Sequence, residues 1–222
     1  MASETAGIAR RDLLRKGLIL GGAGTAAGLL VTSNVGCATA QDAGAVTKVT
    51  FDVACLGDTL RIQPTEGNEE GDTRGNTFSV EGHIYAADTI PTPGDGFDPS
   101  SEDAIGTWLC RGWFLINPDR PNPHVITTQE YVLGIMSDAQ PFAADNLVSS
   151  GTEGTDEDEP PPIRSVIGGT GRYAGATGVV VQRGNGRNST ELRGVGANAP
   201  NFRFEFHLSV PQLDIDLGLG RE

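Results

Sequence analysis

The chain has 222 residues, 37% of them hydrophobic, with 31 glycines, 13 prolines and 3 cysteines. Glycine has no three-residue period and the apolar residues suffice for a core, so collagen, a coiled coil and wholesale disorder are excluded. The net charge is −13 at pH 7; the first forty residues carry +2, which leaves −15 on residues 41–222, where Lys48 is the only lysine. Such a surface repels phosphate backbones and anionic membranes, which argues against nucleic acid as a partner.

The first forty residues have the layout of an export signal. Arg10 and Arg11 are followed by two leucines and further basic residues, and then by an apolar, glycine-rich stretch over 17–31. This order resembles the twin-arginine signal, which is read by a translocase that exports folded proteins. A spanning helix needs about 20 mainly apolar residues, so we expect no transmembrane span in the mature form. The alternative is an N-terminal anchor that stays attached.

Two processing sites compete at the end of this signal. Cleavage after Ala40 would release the protein, whereas lipid attachment at Cys37, which follows Val35 and Gly36, would hold it at a membrane surface. We favour release. The predicted organisation is a signal peptide over 1–40 and one domain over 41–222, located outside the cell or at its surface.

The domain has the period-two pattern of β-strands, with frequent Gly, Pro, Asn and Asp breaks and no convincing helical period. The last candidate strand is the clearest, because its four apolar residues from Phe202 to Leu208 alternate with charged or polar residues. About eight strands in one domain predict an all-β barrel or sandwich. The candidate strands cover 48–54, 60–62, 77–85, 106–116, 125–135, 164–167, 176–182, 190–196 and 202–210.

Three acidic segments interrupt the strand pattern, at 64–76, 91–103 and 149–162. We expect them to be solvent-facing, mobile loops. Clustered carboxylates can bind calcium, but none of the three segments has the ligand spacing and central glycine of an EF-hand loop.

A glycine-rich segment from Gly168 to Gly178, with the sequence GGTGRYAGATG, precedes a β-branched strand. Gly171 permits positive φ at a sharp reversal, Tyr173 supplies an apolar plug, and Gly178 permits close backbone approach. A phosphate-binding loop is disfavoured because no helix pattern follows and no nucleotide motif is complete.

This segment resembles the glycine signature shared by allene oxide cyclases and dirigent proteins. The Gly82-His83-Ile84-Tyr85 strand end and the sequence Arg111-Gly112-Trp113 resemble further strands of that family, so the resemblance spans about 46–210. The long acidic segments at 91–103 and 149–162 depart from the family pattern. The resemblance implies an eight-stranded antiparallel barrel, often a homotrimer, that binds a hydrophobic small molecule inside and steers its cyclisation or coupling without a cofactor. The alternative is a non-catalytic ligand-binding or structural barrel.

Three residues are candidate catalytic groups. Glu81 shares a strand face with Ser79 and His83; facing inward, its carboxylate would exchange a proton or stabilise a developing cation, although such a polar face often meets solvent instead. Arg111 lies in a strand that is apolar on both faces, so we expect it to be buried, either paired with a carboxylate or holding a ligand carboxylate. Tyr131 would offer a phenol to the cavity, or simply pack.

Metal and nucleophile signatures are missing from the sequence. The three histidines have no ligand spacing, so we predict no metal site, and no G-x-S-x-G elbow occurs. The resemblance to allene oxide cyclases and dirigent proteins implies that no cofactor is bound. Cys55 and Cys110 would be the cysteines left after removal of the signal, and export makes a disulfide between them possible, although free packed thiols are an equal alternative.

Overall fold

The computed structural model describes residues 46–68, 73–100, 102–115, 124–134, 145–154 and 160–211. The predicted signal peptide, its cleavage after Ala40 and the lipid attachment at Cys37 fall outside these residues and stay predictions. The one helix in the described ranges is the 3-10 turn Gly171–Tyr173, so no helix there is long and apolar enough to cross a membrane.

Eight strands form a single closed sheet. Each strand is antiparallel to the next, and β8 pairs with β1 to complete the circle. The predicted all-β, eight-stranded antiparallel barrel is therefore confirmed. In chain order the strands are β1 Thr47–Gln63, β2 Thr77–Ala86, β3 Gly106–Phe114, β4 His124–Leu133, β5 Asp145–Gly154, β6 Ile163–Thr170, β7 Thr177–Glu191 and β8 Asn198–Ser209.

The strands differ from the sequence prediction most in three places, while the other strand ends differ by up to four residues. β1 is continuous where two strands were expected, with a register shift between Leu56 and Arg61. β7 continues to Glu191, so the strand predicted over 190–196 is wrong, and most of that segment is the turn into β8. β5 is a strand that the sequence prediction did not include, and it covers the first part of the loop predicted over 149–162, which is therefore wrong there. The acidic residues 155–159 lie outside the described part of the chain.

One end of the barrel is filled by aromatic side chains. Phe204, Phe206 and Leu208 are fully buried, as their alternation in β8 predicts. The Tyr131 ring lies 5.1 Å from the Phe204 ring and 4.9 Å from the Phe206 ring, and Phe51 lies 5.3 Å from Phe206. We call this the closed end. It contains the first residues of β1 and the last residues of β8, which pair with each other.

The glycine-rich segment makes the turn between β6 and β7 at the closed end. Gly171 has φ +59°, and Tyr173 is 8% exposed, so the predicted reversal and plug are both present. Gly178 has φ +140°, and a Cβ there would lie 2.1 Å from the His207 carbonyl oxygen, which only glycine avoids.

The connection between β2 and β3 packs along the outside of the barrel. Asp52 points outward from β1, yet is fully buried under this connection, where it accepts two hydrogen bonds from Arg203 at 2.8 and 3.1 Å and one from the Ile90 backbone N–H. The backbone N–H of Gly94 donates to Asn185 of β7 at 3.0 Å. The segment predicted as a mobile loop over 91–103 is therefore tied to the sheet in its described residues.

Candidate functional site

The opposite end of the barrel contains an open cavity of about 410 Å³. The cavity lies at the end of the barrel where the chain passes from β1 to β2, from β3 to β4, from β5 to β6 and from β7 to β8. We call this end of the barrel the open end. Its walls are mainly apolar, which suits a hydrophobic organic molecule more than a phosphate or a sugar. The apolar wall includes the side chains of Leu60, Phe78, Trp108, Phe114 and Phe202.

The floor of the cavity is polar. Gln129 of β4, Glu153 of β5 and Gln182 of β7 point inward, line the cavity and are nearly or fully buried. The Gln129 Nε2 atom lies 3.2 Å from both carboxylate oxygens of Glu153 and 3.1 Å from Gln182 Oε1. One amide nitrogen thus joins three strands at the boundary between the open and closed ends.

Glu153 is the one carboxylate that lines this cavity within the described residues, and it has a buried counter-ion. Arg164 Nη1 lies 3.5 Å from Glu153 Oε1, and the Arg164 side chain is completely buried. Arg164 also donates from Nε to Ser149 Oγ at 3.2 Å and from Nη2 to the Thr127 carbonyl at 3.2 Å. Such a pair keeps a charged carboxylate inside an apolar barrel, because each charge compensates the other.

Tyr131 lies behind the floor instead of on it. Its hydroxyl donates to Gln129 Oε1 at 2.5 Å and lies 3.1 Å from Ser149 Oγ, and the residue has no exposed surface. Burial is the largest cause of the raised pKa of Tyr131, which the charge of Arg164 partly offsets. The phenol therefore stays protonated near neutral pH and orients Gln129; it does not line the cavity.

The other two predicted catalytic residues are on the outer face of the barrel. Glu81 is exposed, so the solvent-facing alternative describes it. The expectation that Arg111 is buried is wrong: its side chain is 69% exposed and lies 3.7 Å from Glu130. The outer face of β3 carries apolar residues, which is why its sequence predicts burial. This face is nevertheless exposed to solvent, and Trp113 on it is 48% exposed. Glu81, Arg111 and Tyr131 are not brought together.

Cys55 and Cys110 are both buried, unbonded thiols in the cavity wall. They sit on β1 and β3 with β2 between them, because Cys55 pairs with Gly82 and Cys110 with Val80. Two strand spacings amount to roughly 9.5 Å, and a disulfide needs Cα atoms within about 7 Å. Burial raises the pKa of Cys55 to about 12 and also raises that of Cys110. Both are therefore protonated thiols that serve as apolar wall.

The described residues contain no cluster of three or more His, Cys, Asp and Glu side chains arranged to hold a metal ion. The sequence Asn188-Ser189-Thr190 has the pattern of an N-glycosylation sequon, but the Asn188 side chain is fully buried and donates to the Cys55 carbonyl oxygen at 2.9 Å.

The floor residues were missed for identifiable reasons. Glu153 fell in a segment whose acidic composition resembles a loop, and Arg164 is the first residue of a short predicted strand. The sequence carries a signal for Gln129, because Gln129 shares a strand face with Tyr131, a predicted cavity residue.

Comparison of the structure with solved structures identifies similar proteins. Two dirigent proteins described as pterocarpan synthases match with TM-scores of 0.51 and 0.50 at 10% and 11% identity. The matches cover 76% and 73% of this chain and 97% and 88% of those chains. A pyocyanin demethylase matches at 16% identity and a TM-score of 0.46, over 73% of this chain and all of that one. Neither a family model nor a curated protein matches the sequence. The fold is that of dirigent proteins.

Proposed function

We propose that this protein binds a hydrophobic small molecule in the open end of the barrel and steers its cyclisation or coupling without a cofactor. The observation that carries this proposal is the apolar cavity of about 410 Å³ with a buried carboxylate, Glu153, on its floor. The shared fold with dirigent proteins described as pterocarpan synthases supports the same reaction class.

In this proposal the walls and the floor of the cavity have different tasks. Apolar walls exclude water and restrict a flexible ligand to few conformers, which lowers the entropic barrier to an intramolecular reaction. On the floor, Glu153 would accept or donate a proton, or stabilise positive charge that develops on the ligand. Arg164 and Gln129 hold this carboxylate, and Tyr131 in turn holds Gln129, so Tyr131 acts as a positioning residue.

Trp108 offers a direct test, because it lines the cavity while Trp113, the second tryptophan, is on the outer face. In the Trp113→Phe variant of the full chain, emission comes from Trp108 alone. We expect unsaturated hydrophobic compounds extracted from the host to quench this emission saturably, and native mass spectrometry to show one ligand per chain. Absence of any bound compound would refute the proposal.

Turnover separates catalysis from simple binding. We expect the bound compound to be converted to a cyclised or coupled isomer, and Glu153→Gln to slow the conversion at least about 100-fold while ligand binding persists. Glu81→Gln serves as the matched control, since Glu81 is exposed, and should be without effect.

The second candidate is a ligand-binding barrel without catalysis. It is favoured by one observation, that Glu153 is already paired with Arg164 and hydrogen-bonded to Gln129, as a purely structural carboxylate would be. Saturable binding with no conversion of the ligand would establish this alternative.

We also propose an oligomeric state and a location for the protein. Trp113 and Ile126 are paired neighbours on β3 and β4 that expose 48% and 38% of their surface, which is costly for a monomer. We expect a homotrimer that covers such outer strand surface, and Trp113→Glu should lower the mass seen in native mass spectrometry to that of one chain.

We also expect residues 1–40 to direct export, and fusion of these residues to a reporter tests this directly.

A further inference from the structure

The orientation of the Gln129 amide is fixed by its neighbours. The indole N–H of Trp108, which can only donate, lies 3.3 Å from Gln129 Oε1. The Gln129 oxygen must therefore face Trp108, and its nitrogen must face the other way. That nitrogen meets both oxygens of Glu153, which as a carboxylate only accepts, so the two ends of the amide agree.

The orientation of Gln182 follows from that of Gln129. The atom of Gln182 that lies 3.1 Å from Gln129 Nε2 has to be an acceptor, namely Oε1. The Nε2 group of Gln182, with two hydrogens to donate, is then directed away from Gln129. No described residue accepts from it, and Gln182 lines the cavity.

Glu153 has acceptor capacity left on one oxygen. Its Oε1 accepts from Thr127 Oγ1 at 2.8 Å and from Gln129, and it also faces Arg164 Nη1. Its Oε2 accepts from Gln129 Nε2 alone among the described residues. A carboxylate oxygen has lone pairs for more than one donor, so Oε2 can accept a further hydrogen bond.

The floor therefore offers one donor and one acceptor side by side, both anchored on the same Gln129 nitrogen. We propose that Gln182 Nε2 and Glu153 Oε2 form a recognition couple for a ligand whose buried end carries an adjacent acceptor and donor. The matching groups are a carboxamide, a lactam or a hydroxy-carbonyl, carried on an apolar, unsaturated body that contacts Trp108 and Phe202. This inference rests on the proposed function, because it names the substrate class of the same cavity.

Three probes of nearly equal shape test the couple. 2-Naphthamide carries both a donor and an acceptor, 2-acetylnaphthalene carries the acceptor alone, and 2-isopropenylnaphthalene carries neither. Isothermal titration calorimetry on the full chain should give affinities in that order. Each step should be about tenfold, because a buried polar group left without its partner costs that much.

Variants assign each step to one residue. Gln182→Met removes the donor and should abolish the advantage of 2-acetylnaphthalene over 2-isopropenylnaphthalene, whereas Gln63→Met makes the same change at an exposed position and should leave all affinities unchanged. Glu153→Gln should cancel the advantage of 2-naphthamide over 2-acetylnaphthalene, because the amide introduced by this substitution would keep its oxygen on Thr127 and Gln129 and direct a second donor at the ligand. Thermal unfolding checks that each variant is folded.

The outcomes separate this inference from the proposed function. Binding of all three probes with equal affinity would overturn the recognition couple and leave the cavity function standing. If the preferences persist in Gln182→Met, the assignment of the donor is wrong. Failure of all three probes to bind would overturn the recognition couple, and the quenching of Trp108 emission by host compounds then decides whether the proposed function falls as well.

Discussion

The two ends of this barrel are built from the same eight strands but are occupied differently. At the closed end, rings such as Phe204 and Phe206 fill the interior, with centroids about 5 to 6 Å apart around Tyr131 and Phe51. At the open end, the walls surround a cavity of about 410 Å³ above a polar floor. We therefore expect the closed end to contribute more to the stability of the fold than the open end, where the proposed ligand would bind.

The sharpest test of this difference compares one phenylalanine from each end. Phe204→Ala should lower the free energy of unfolding by about 4 kcal/mol, because it leaves a void in a fully buried cluster. Phe114→Ala in the half-buried cavity wall should cost only about 1–2 kcal/mol. Urea denaturation of both variants measures the contrast, and equal losses would mean that the two ends contribute alike to stability.

The buried ion pair between Arg164 and Glu153 is the part of the open end whose substitution should lower the free energy of unfolding most. Arg164→Met should destabilise the fold by about 3 kcal/mol, because Glu153 is left charged and uncompensated. The double variant Arg164→Met, Glu153→Gln should recover at least half of that loss in the same denaturation experiment. If the double variant is no more stable than the single one, lost packing by Arg164, not lost charge, is responsible.

The raised pKa of Cys55 in the cavity wall predicts that the free energy of unfolding depends on pH. The folded pKa of Cys55 is about 12, above its ordinary value of 9.0, so its contribution to stability is complete below pH 9 and is lost as the pH rises towards 12. Between pH 9 and pH 10 the loss should be roughly 1 kcal/mol.

Cys55→Ala isolates this contribution, since Cys110, Tyr85 and Tyr131, whose pKa values are also raised, remain in the variant. Its free energy of unfolding should fall less steeply over that pH interval than that of the wild type. Identical slopes would show that the Cys55 thiol is accessible to water in the folded state.

The smallest expected effect lies where the two ends meet. Tyr131→Phe should cost about 1 kcal/mol of stability, because Gln129 Oε1 keeps the Trp108 donor and Ser149 keeps Arg164 Nε. Its ligand affinities should retain the order found in the wild type, because Trp108 is a second donor that orients Gln129. A loss of probe discrimination in Tyr131→Phe would show that Trp108 does not orient Gln129 without Tyr131.

The closed end was accessible from sequence in a way that the floor was not. Strict alternation in β8 marks Phe204 and Phe206 as core, and the glycine-rich segment marks the β6 to β7 turn. Glu153 and Gln182 also face inward, but the inner face of β5 carries Ser149 and Glu153, and polar residues on an inner face give no hydrophobic period. The exposure of an outer strand face, such as the one that carries Arg111, depends on what packs against it. The alternation of apolar and polar residues along a strand does not contain that information.

The first strand of the barrel begins, and the last strand ends, at the closed end. Thr47, the first residue of β1, pairs with Leu208, the penultimate residue of β8, at the closed end. A resin, sensor chip or fused carrier linked through either flank of the barrel therefore attaches opposite the mouth. Protein immobilised in this way would present its cavity to the flowing medium, so ligands can be exchanged repeatedly over one captured sample.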